Sequence, residues 1–300
     1  MKGDHPVLPY LLLMLAALTW GGNIVMGRAV HGDIPPIALT FFRWSVAFIV
    51  VLPITLGKFR QDLAIVKANW KWLMLVSATG VAIFHSFIYT GLNSTTAINA
   101  GLMMATSPIL IPVVAFLIHR DKPTRMQALG ILASIIGAGI IITRGDPTII
   151  KTLTFNRGDL WILTAVPMWG IYSVMLKDRP AQLSSRALMF SITALGSLML
   201  APFYVWEYSN FGGVAINADN LMAVGYVSIF ASVIAYFAWN KGIEFVGAIK
   251  AGPFLHIIPV SATLLAIAFL GETLQPFHFP GIGMIVLGIG LTTVKRKVTA

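Results

Sequence analysis

The chain has 300 residues, 57% hydrophobic and only 11% charged, against roughly 25% charged in an ordinary soluble domain, so it cannot cover itself with a water-soluble surface. The formal net charge is +10, but the Lys and Arg residues lie in short connectors between apolar blocks, not on one basic face, which excludes a nucleic-acid groove. There are no cysteines, which removes disulfides, thiol catalysis and cysteine-ligated metal.

The apolar blocks approach the roughly 20 residues that a helix needs to cross a bilayer. The first, Val7 to Met26, follows a weak positive start at Lys2 and has no small-residue cleavage site after it, so it reads as a retained helix rather than a signal peptide. In chain order the predicted spans lie near 7–27, 36–56, 71–91, 97–118, 126–143, 159–176, 186–206, 220–241, 250–270 and 277–294. The stretch from Trp72 to Ile118 holds no Lys, Arg, Asp or Glu and is too long for one span. It must fold back at Asn93-Ser94-Thr95-Thr96, a run of turn formers. The last apolar region divides in the same way at Glu272 to Pro276. The expectation is an all-α polytopic membrane protein with ten transmembrane helices.

Positively charged loops resist translocation. With the amino terminus inside, sixteen of the 21 Lys and Arg residues fall on the cytoplasmic side, and only Arg28, Arg144, Lys151 and Arg157 fall outside. Both termini are therefore expected in the cytoplasm. The chain also repeats. An offset of 151 residues aligns Gly91 with Gly242, Ala97 with Ala248, Gly101 with Gly252, Pro108 with Pro259, Asp121 with Glu272, Gly130 with Gly281 and Gly137 with Gly288. An offset of 149 aligns Trp20-Gly21 with Trp169-Gly170. Duplication divides the chain into five-helix halves, 1–147 and 148–300. Five is odd, so the halves must enter the membrane from opposite sides, and such inverted repeats are a recurring basis of alternating access.

Specific residues carry a family resemblance over nearly the whole chain: Leu18-Thr19-Trp20-Gly21-Gly22-Asn23, Phe42-Arg43, Ala97-Ile98-Asn99-Ala100-Gly101, Trp169-Gly170, Ala248-Ile249-Lys250-Ala251-Gly252, Pro259 and Leu270-Gly271-Glu272. In order and in duplicate they resemble the drug/metabolite transporter superfamily, and within it the ten-span exporters made of two EamA-type repeats. The resemblance implies a metabolite exporter of the cell inner membrane, most similar to members that export aromatic and other amino acids and some toxic cations. Other branches carry drug cations, nucleotide sugars or sugar phosphates; the spans hold no dense Lys/Arg cluster for a phosphate, which favours a small zwitterionic cargo.

Polar and aromatic side chains at helical spacing are the candidates for a cargo path. Trp20 with Asn23, His85 with Tyr89, Asn99 with Met103, Trp169 with Tyr172, and Tyr236 with Trp239 and Asn240 each share a face. Aromatic rings offer apolar contact and cation–π attraction, and amide and imidazole groups can bond a carboxylate. Trp70, Trp72, Trp161, Trp206 and Tyr208 read instead as interfacial belt residues. His85 and His256 each fit a packed core histidine as well as a ligand contact. Arg43 is the firm charge inside a span, read here as a structural arginine, either bonded to backbone carbonyls or snorkelling, rather than a substrate contact. Pro108, Pro112, Pro167, Pro253 and Pro259 mark bends that are either hinges or static kinks.

The eleven acids all lie in loops or near helix ends. Proton coupling would then have to use His85, His256 or Glu244, and facilitated export is the simpler reading. A membrane enzyme, such as a lipid-modifying transferase, lacks support: there is no paired intramembrane carboxylate, no His-Glu-x-x-His motif and no nucleophile with a base nearby. A channel lacks a filter signature. The expected partners are a small-molecule substrate and the lipid bilayer, without nucleic acid, cofactor or metal; a monomer and a homodimer both fit.

Overall fold

The computed structural model describes residues 7–30, 32–95, 97–151, 156–270 and 273–293, and every regular element among them is helical. Helix α1 (Leu8–Ala29) and helix α2 (Pro36–Ala68) each begin with a proline in the first turn, where the missing N–H costs no helical bond. Helix α3 (Trp70–Leu92) carries a π-helical turn at Ala78–Ile83. It ends at Leu92, just before the turn predicted at Asn93. Helix α4 is broken into Ala97–Met104 and Ser107–His119. Helix α5 (Arg125–Ile142) opens with a Thr124/Gln127 capping box, and helix α6 (Arg157–Met175) with an Asn156/Asp159 box. Then come helix α7 (Ser185–Phe211) and helix α8 (Ala218–Val246), the latter with a π-helical turn at Ile229–Ile234. Helix α9 runs as Ala248–Ala251, a 3₁₀ stretch Gly252–His256, and Ile257–Leu270, followed by helix α10 (His278–Thr293).

Seven helical segments are long and apolar enough to cross a membrane, and Leu8–Asn23, Ser107–His119 and His278–Thr293 are shorter apolar helices. Their outer faces match that solvent: Ile49, Leu117, Leu132, Leu198 and Val286 are exposed, and lipid tails accept such side chains where water would not. Helix α2 is longer than its predicted span of 36–56. At 33 residues it measures about 50 Å, against a hydrocarbon layer of roughly 30 Å. Hydropathy ends at Gly57, but a single glycine does not stop a helix. The polar continuation is anchored where Asp62 accepts a 2.8 Å bond from Ser184, the N-cap of α7.

The two predicted halves do not pack as separate bodies. Helix α1 lies against α8 and α9, while α6 lies against α3 and α4; α2 packs on α7, and α5 on α10. The α5–α10 contact shows how small residues permit this. A Cβ on Gly137 would stand 2.5 Å from the Gly281 carbonyl oxygen, and one on Gly130 would stand 2.5 Å from that of Gly288. The higher-numbered glycine of one helix meets the lower-numbered glycine of the other, so α5 and α10 run antiparallel. The loop after α3 docks on the start of α6, where Thr95 donates to Asp159. Glu272, one of the residues used to trace the repeat, lies outside the described residues.

Candidate functional site

In both α3 and α8 the wide turn sits at the same place, since Ala78–Ile83 plus 151 is Ile229–Ile234. A π turn spoils the regular i→i−4 ladder and leaves carbonyls to be satisfied by other groups. Here side chains take them. The Gly80 carbonyl accepts from the Tyr236 hydroxyl at 2.5 Å. The matching Ala231 carbonyl accepts from Trp20 Nε1 at 2.9 Å and from Arg43 at 3.0 Å. Gly80 is required for this packing, because a Cβ there would stand 2.2 Å from the Tyr172 ring.

The breaks in α4 and α9 also correspond. Pro108 and Pro259 both lie in the first turn after the interruption, the position where proline removes no helical hydrogen bond. These two prolines therefore restart helices rather than kink them. Across the gap, His256 Nε2 donates to the Ala105 carbonyl at 2.9 Å.

Between these features lies a cavity of about 370 Å³. Trp20, Asn23, Phe84, His85 and Trp169 line it together with Ile88 and Ile162, and the two helix breaks contribute Met104, Ala105, Leu255, His256 and Pro259. It reaches the surface beside Arg144, an exposed residue just past the end of α5. The far end is closed by packed rings. Trp20 and Trp169 meet edge to face with centroids 5.1 Å apart, Trp239 stands 5.3 Å from Trp20, and Tyr172 5.3 Å from Trp169. Tyr172, Tyr236 and Trp239 have no exposed surface. The Tyr172 hydroxyl donates to Asn240 Oδ1 at 2.7 Å and Trp239 Nε1 to Ser173 at 3.3 Å, so with the Tyr236–Gly80 bond the polar atoms of these three rings are spent within the protein.

Arg43 is fully buried. It donates four hydrogen bonds: to Ser232 Oγ at 2.6 Å, to Asn23 Oδ1 and the Tyr89 hydroxyl at 2.9 Å each, and to the Ala231 carbonyl at 3.0 Å. The sequence reading of a structural arginine on backbone carbonyls thus accounts for one bond of the four. His85 donates from Nδ1 to the Val81 carbonyl at 3.2 Å, since a carbonyl can only accept, and this leaves Nε2 for the cavity.

A second, charged hollow of about 560 Å³ lies where α4, α6 and α8 end and α9 begins. Ion pairs cross it. Lys177 meets Asp121 at 2.5 Å, Arg179 meets Glu244 at 3.0 Å, Lys241 meets Glu244 at 2.9 Å, and His119 approaches Asp178 at 3.3 Å. Apart from the Lys241–Glu244 pair, which lies within α8, they tie the ends of α4, α6 and α8 together.

Of the residues singled out by spacing, Trp20, Asn23, His85 and Trp169 line the cavity. Tyr89, Tyr172, Tyr236, Trp239 and Asn240 are buried in the layer packed behind it. Met103 is half-buried and packs on the core, while the side chain of Asn99 lies outside the described ones. Phe84, Ile88, Met104, Leu255 and Thr263 line the cavity without having been anticipated. Their residue types are those of any lipid-facing or packing position. His256 had been noted, and its exact spacing of 151 from Ala105 was the available signal.

The EamA-like transporter family matches this chain twice, over residues 7–143 and 156–294. An "Uncharacterized transporter YetK" of Bacillus subtilis strain 168 is 28% identical over 96% of this chain and 87% of its own length. "Uncharacterized transporter YyaM" of the same organism is 27% identical over 93% and 92%, and an "Uncharacterized transporter" of Archaeoglobus fulgidus is 25% identical over 96% and 98%. A solved crystal structure, 18% identical, superimposes with a TM-score of 0.74 over 94% of this chain and 95% of that one; at that identity the likeness concerns the fold alone. With both matches together spanning most of its length, the chain belongs to the EamA-like transporter family of the drug/metabolite transporter superfamily.

Proposed function

We propose that this chain is a secondary transporter that exports small metabolites, chiefly amino acids including aromatic ones, by alternating access around the central cavity. In this reading ten helices span the cell inner membrane as two inverted repeats, 1–147 and 148–300, with both termini cytoplasmic. The observation that carries it is the aromatic-walled cavity at the crossing of two broken helices, α4 and α9, whose interruptions sit at matching positions. Discontinuous helices meeting at a central site are a recurring design of secondary transporters. The antiparallel glycine contact of α5 and α10 and the paired π turns of α3 and α8 support the inverted relation. The volume suits a small solute.

The cavity reaches the surface at one end, packed rings close its floor, and beyond them ion pairs tie the helix ends together. With the termini in the cytoplasm this is an outward-facing state. Exchange of roles between the two halves would open the ion-paired end and close the mouth at Arg144. Purified protein in sealed vesicles is expected to show saturable, counter-stimulated uptake of labelled phenylalanine and tryptophan. Product formation without uptake would point to an enzyme, and conductance without saturation to a channel.

A further inference from the structure

Arg43 is a cation without a carboxylate. Among the described residues it enters no ion pair, and all four of its acceptors are neutral. A guanidinium buried in this way keeps its charge and is costly unless its surroundings use it. Around the cavity, the described lining residues include no acid, and the charged one among them is another arginine, Arg144, at the mouth. The field inside the cavity is therefore positive at both its wall and its entrance.

Asn23 connects Arg43 to the cavity. Its Oδ1 accepts from Arg43 at 2.9 Å and from the Tyr89 hydroxyl at 2.8 Å. Arginine can only donate, so the orientation of this amide is fixed by chemistry. The oxygen is consumed, and Asn23 itself lines the cavity. What remains for a ligand is the Nδ2 group, two N–H donors on an amide polarised by the guanidinium behind it. Nearby, Trp169 lines the same cavity with an indole N–H that has no partner, whereas its repeat counterpart Trp20 spends its own on Ala231.

We propose that Arg43, acting through Asn23, is the positioning residue that makes the cavity select cargo bearing a carboxylate over cargo bearing only an ammonium group. This rests on the amino-acid transport reading and sharpens it. The carboxylate accepts from Asn23 Nδ2 in a low-dielectric wall where a charge-assisted bond is strong. A bare amine meets these donors and two arginines; His85 Nε2 can accept from it, but the described lining holds no carboxylate to neutralise its charge.

The test compares labelled phenylalanine with labelled phenethylamine, which has the same ring and amine but no carboxylate, in counterflow by the full chain in vesicles. Wild type is expected to favour phenylalanine by roughly tenfold or more, the worth of a hydrogen bond to a charged group. Arg43→Gln should bring the ratio near one. Because removing a buried cation can also impair folding, Asn23→Asp is the decisive variant: its carboxylate pairs with Arg43, keeps the network bonded and presents negative charge, so the preference should reverse. A merely structural arginine would lower both rates and leave their ratio alone. Equal handling of both compounds by wild type, or an unchanged ratio in folded Asn23→Asp, overturns the assignment while the transport reading stands. Saturable uptake of neither compound by wild type overturns the transport reading, and the assignment with it.

Discussion

The carbonyl of Ala105 accepts a 2.9 Å hydrogen bond from His256, and the two residues hold the same place in their respective halves, 151 positions apart. The bond bridges the two breaks, with a side chain from the α9 break satisfying a backbone carbonyl in the α4 break. His256→Phe keeps a ring of similar shape but strands the carbonyl. It should cost about 1 kcal/mol, within the range for interhelical bonds in membranes. The thermal midpoint in detergent should fall by roughly 2–4 °C. An unaltered midpoint would mean that the break needs no cross-bond.

Trp20 and Trp169 occupy matched positions but do different work. The Trp20 N–H is bonded to Ala231, and the Trp169 N–H is not bonded. Trp20→Phe should therefore lose stability by about 0.6 kcal/mol or more, and Trp169→Phe should lose less. Both Trp→Ala variants are expected to impair transport by opening the aromatic floor. Equal midpoints for the two Phe variants would remove the asymmetry, and wild-type transport kinetics in both Ala variants would take the rings out of the site.

The sequence carried the helix positions well because hydrophobic length and turn residues are local properties. Leu92 ends α3 beside the predicted Asn93 turn, and Trp20, Asn23, His85 and Trp169 reach the cavity. Spacing says which residues share a face; it does not say which neighbouring helix covers that face. Tyr172 shares a face with the cavity residue Trp169 yet is sealed away by its bond to Asn240, as Tyr236 is by its bond to the Gly80 carbonyl. The π turns were hidden altogether, since ATGVAI and IFASVI carry no local signal for an extra residue in the turn. The exact bonding of Arg43 was equally invisible, because all four of its partners lie on other helices, α1, α3 and α8.

The ion pairs at the closed end are partly exposed, with Arg179 at 15% and Glu244 at 42%, so each contributes only roughly 0.2–1 kcal/mol. Such weak bonds suit a gate that must reopen. Arg179→Gln should raise the population open at this end by no more than about fivefold. The chain has no cysteine, so single reporters are free of background. Val174→Cys, at the charged hollow, should label faster in the Arg179→Gln background, and Ala262→Cys, in the aromatic cavity, should label more slowly. Both rates rising together would indicate loosening rather than alternation.

The loop between α7 and α8 offers a test of the orientation expected from the charge bias. Ile216 within it is 88% exposed, and the charge bias puts it on the outer side. Ile216→Cys is expected to react with a membrane-impermeant maleimide on intact cells. Reaction only after membrane disruption would reverse the topology and turn the cavity mouth toward the cytoplasm.

The α5–α10 seam offers a test of symmetry that does not depend on cargo. A methyl on Gly137 would meet the Gly281 carbonyl oxygen at 2.5 Å, and a methyl on Gly288, its match at offset 151, would meet that of Gly130 at 2.5 Å. Backbone cannot yield as a side-chain tip can, so Gly137→Ala and Gly288→Ala should each destabilise by about 1–3 kcal/mol, and by similar amounts. Gly139 lies on the same helix with nothing within 4 Å of its added methyl, so Gly139→Ala should be neutral or slightly stabilising. If thermal unfolding ranked Gly139→Ala with Gly137→Ala, the cost would come from the helix itself and not from the seam; a large inequality between Gly137→Ala and Gly288→Ala would show that the two ends of the seam are not equivalent.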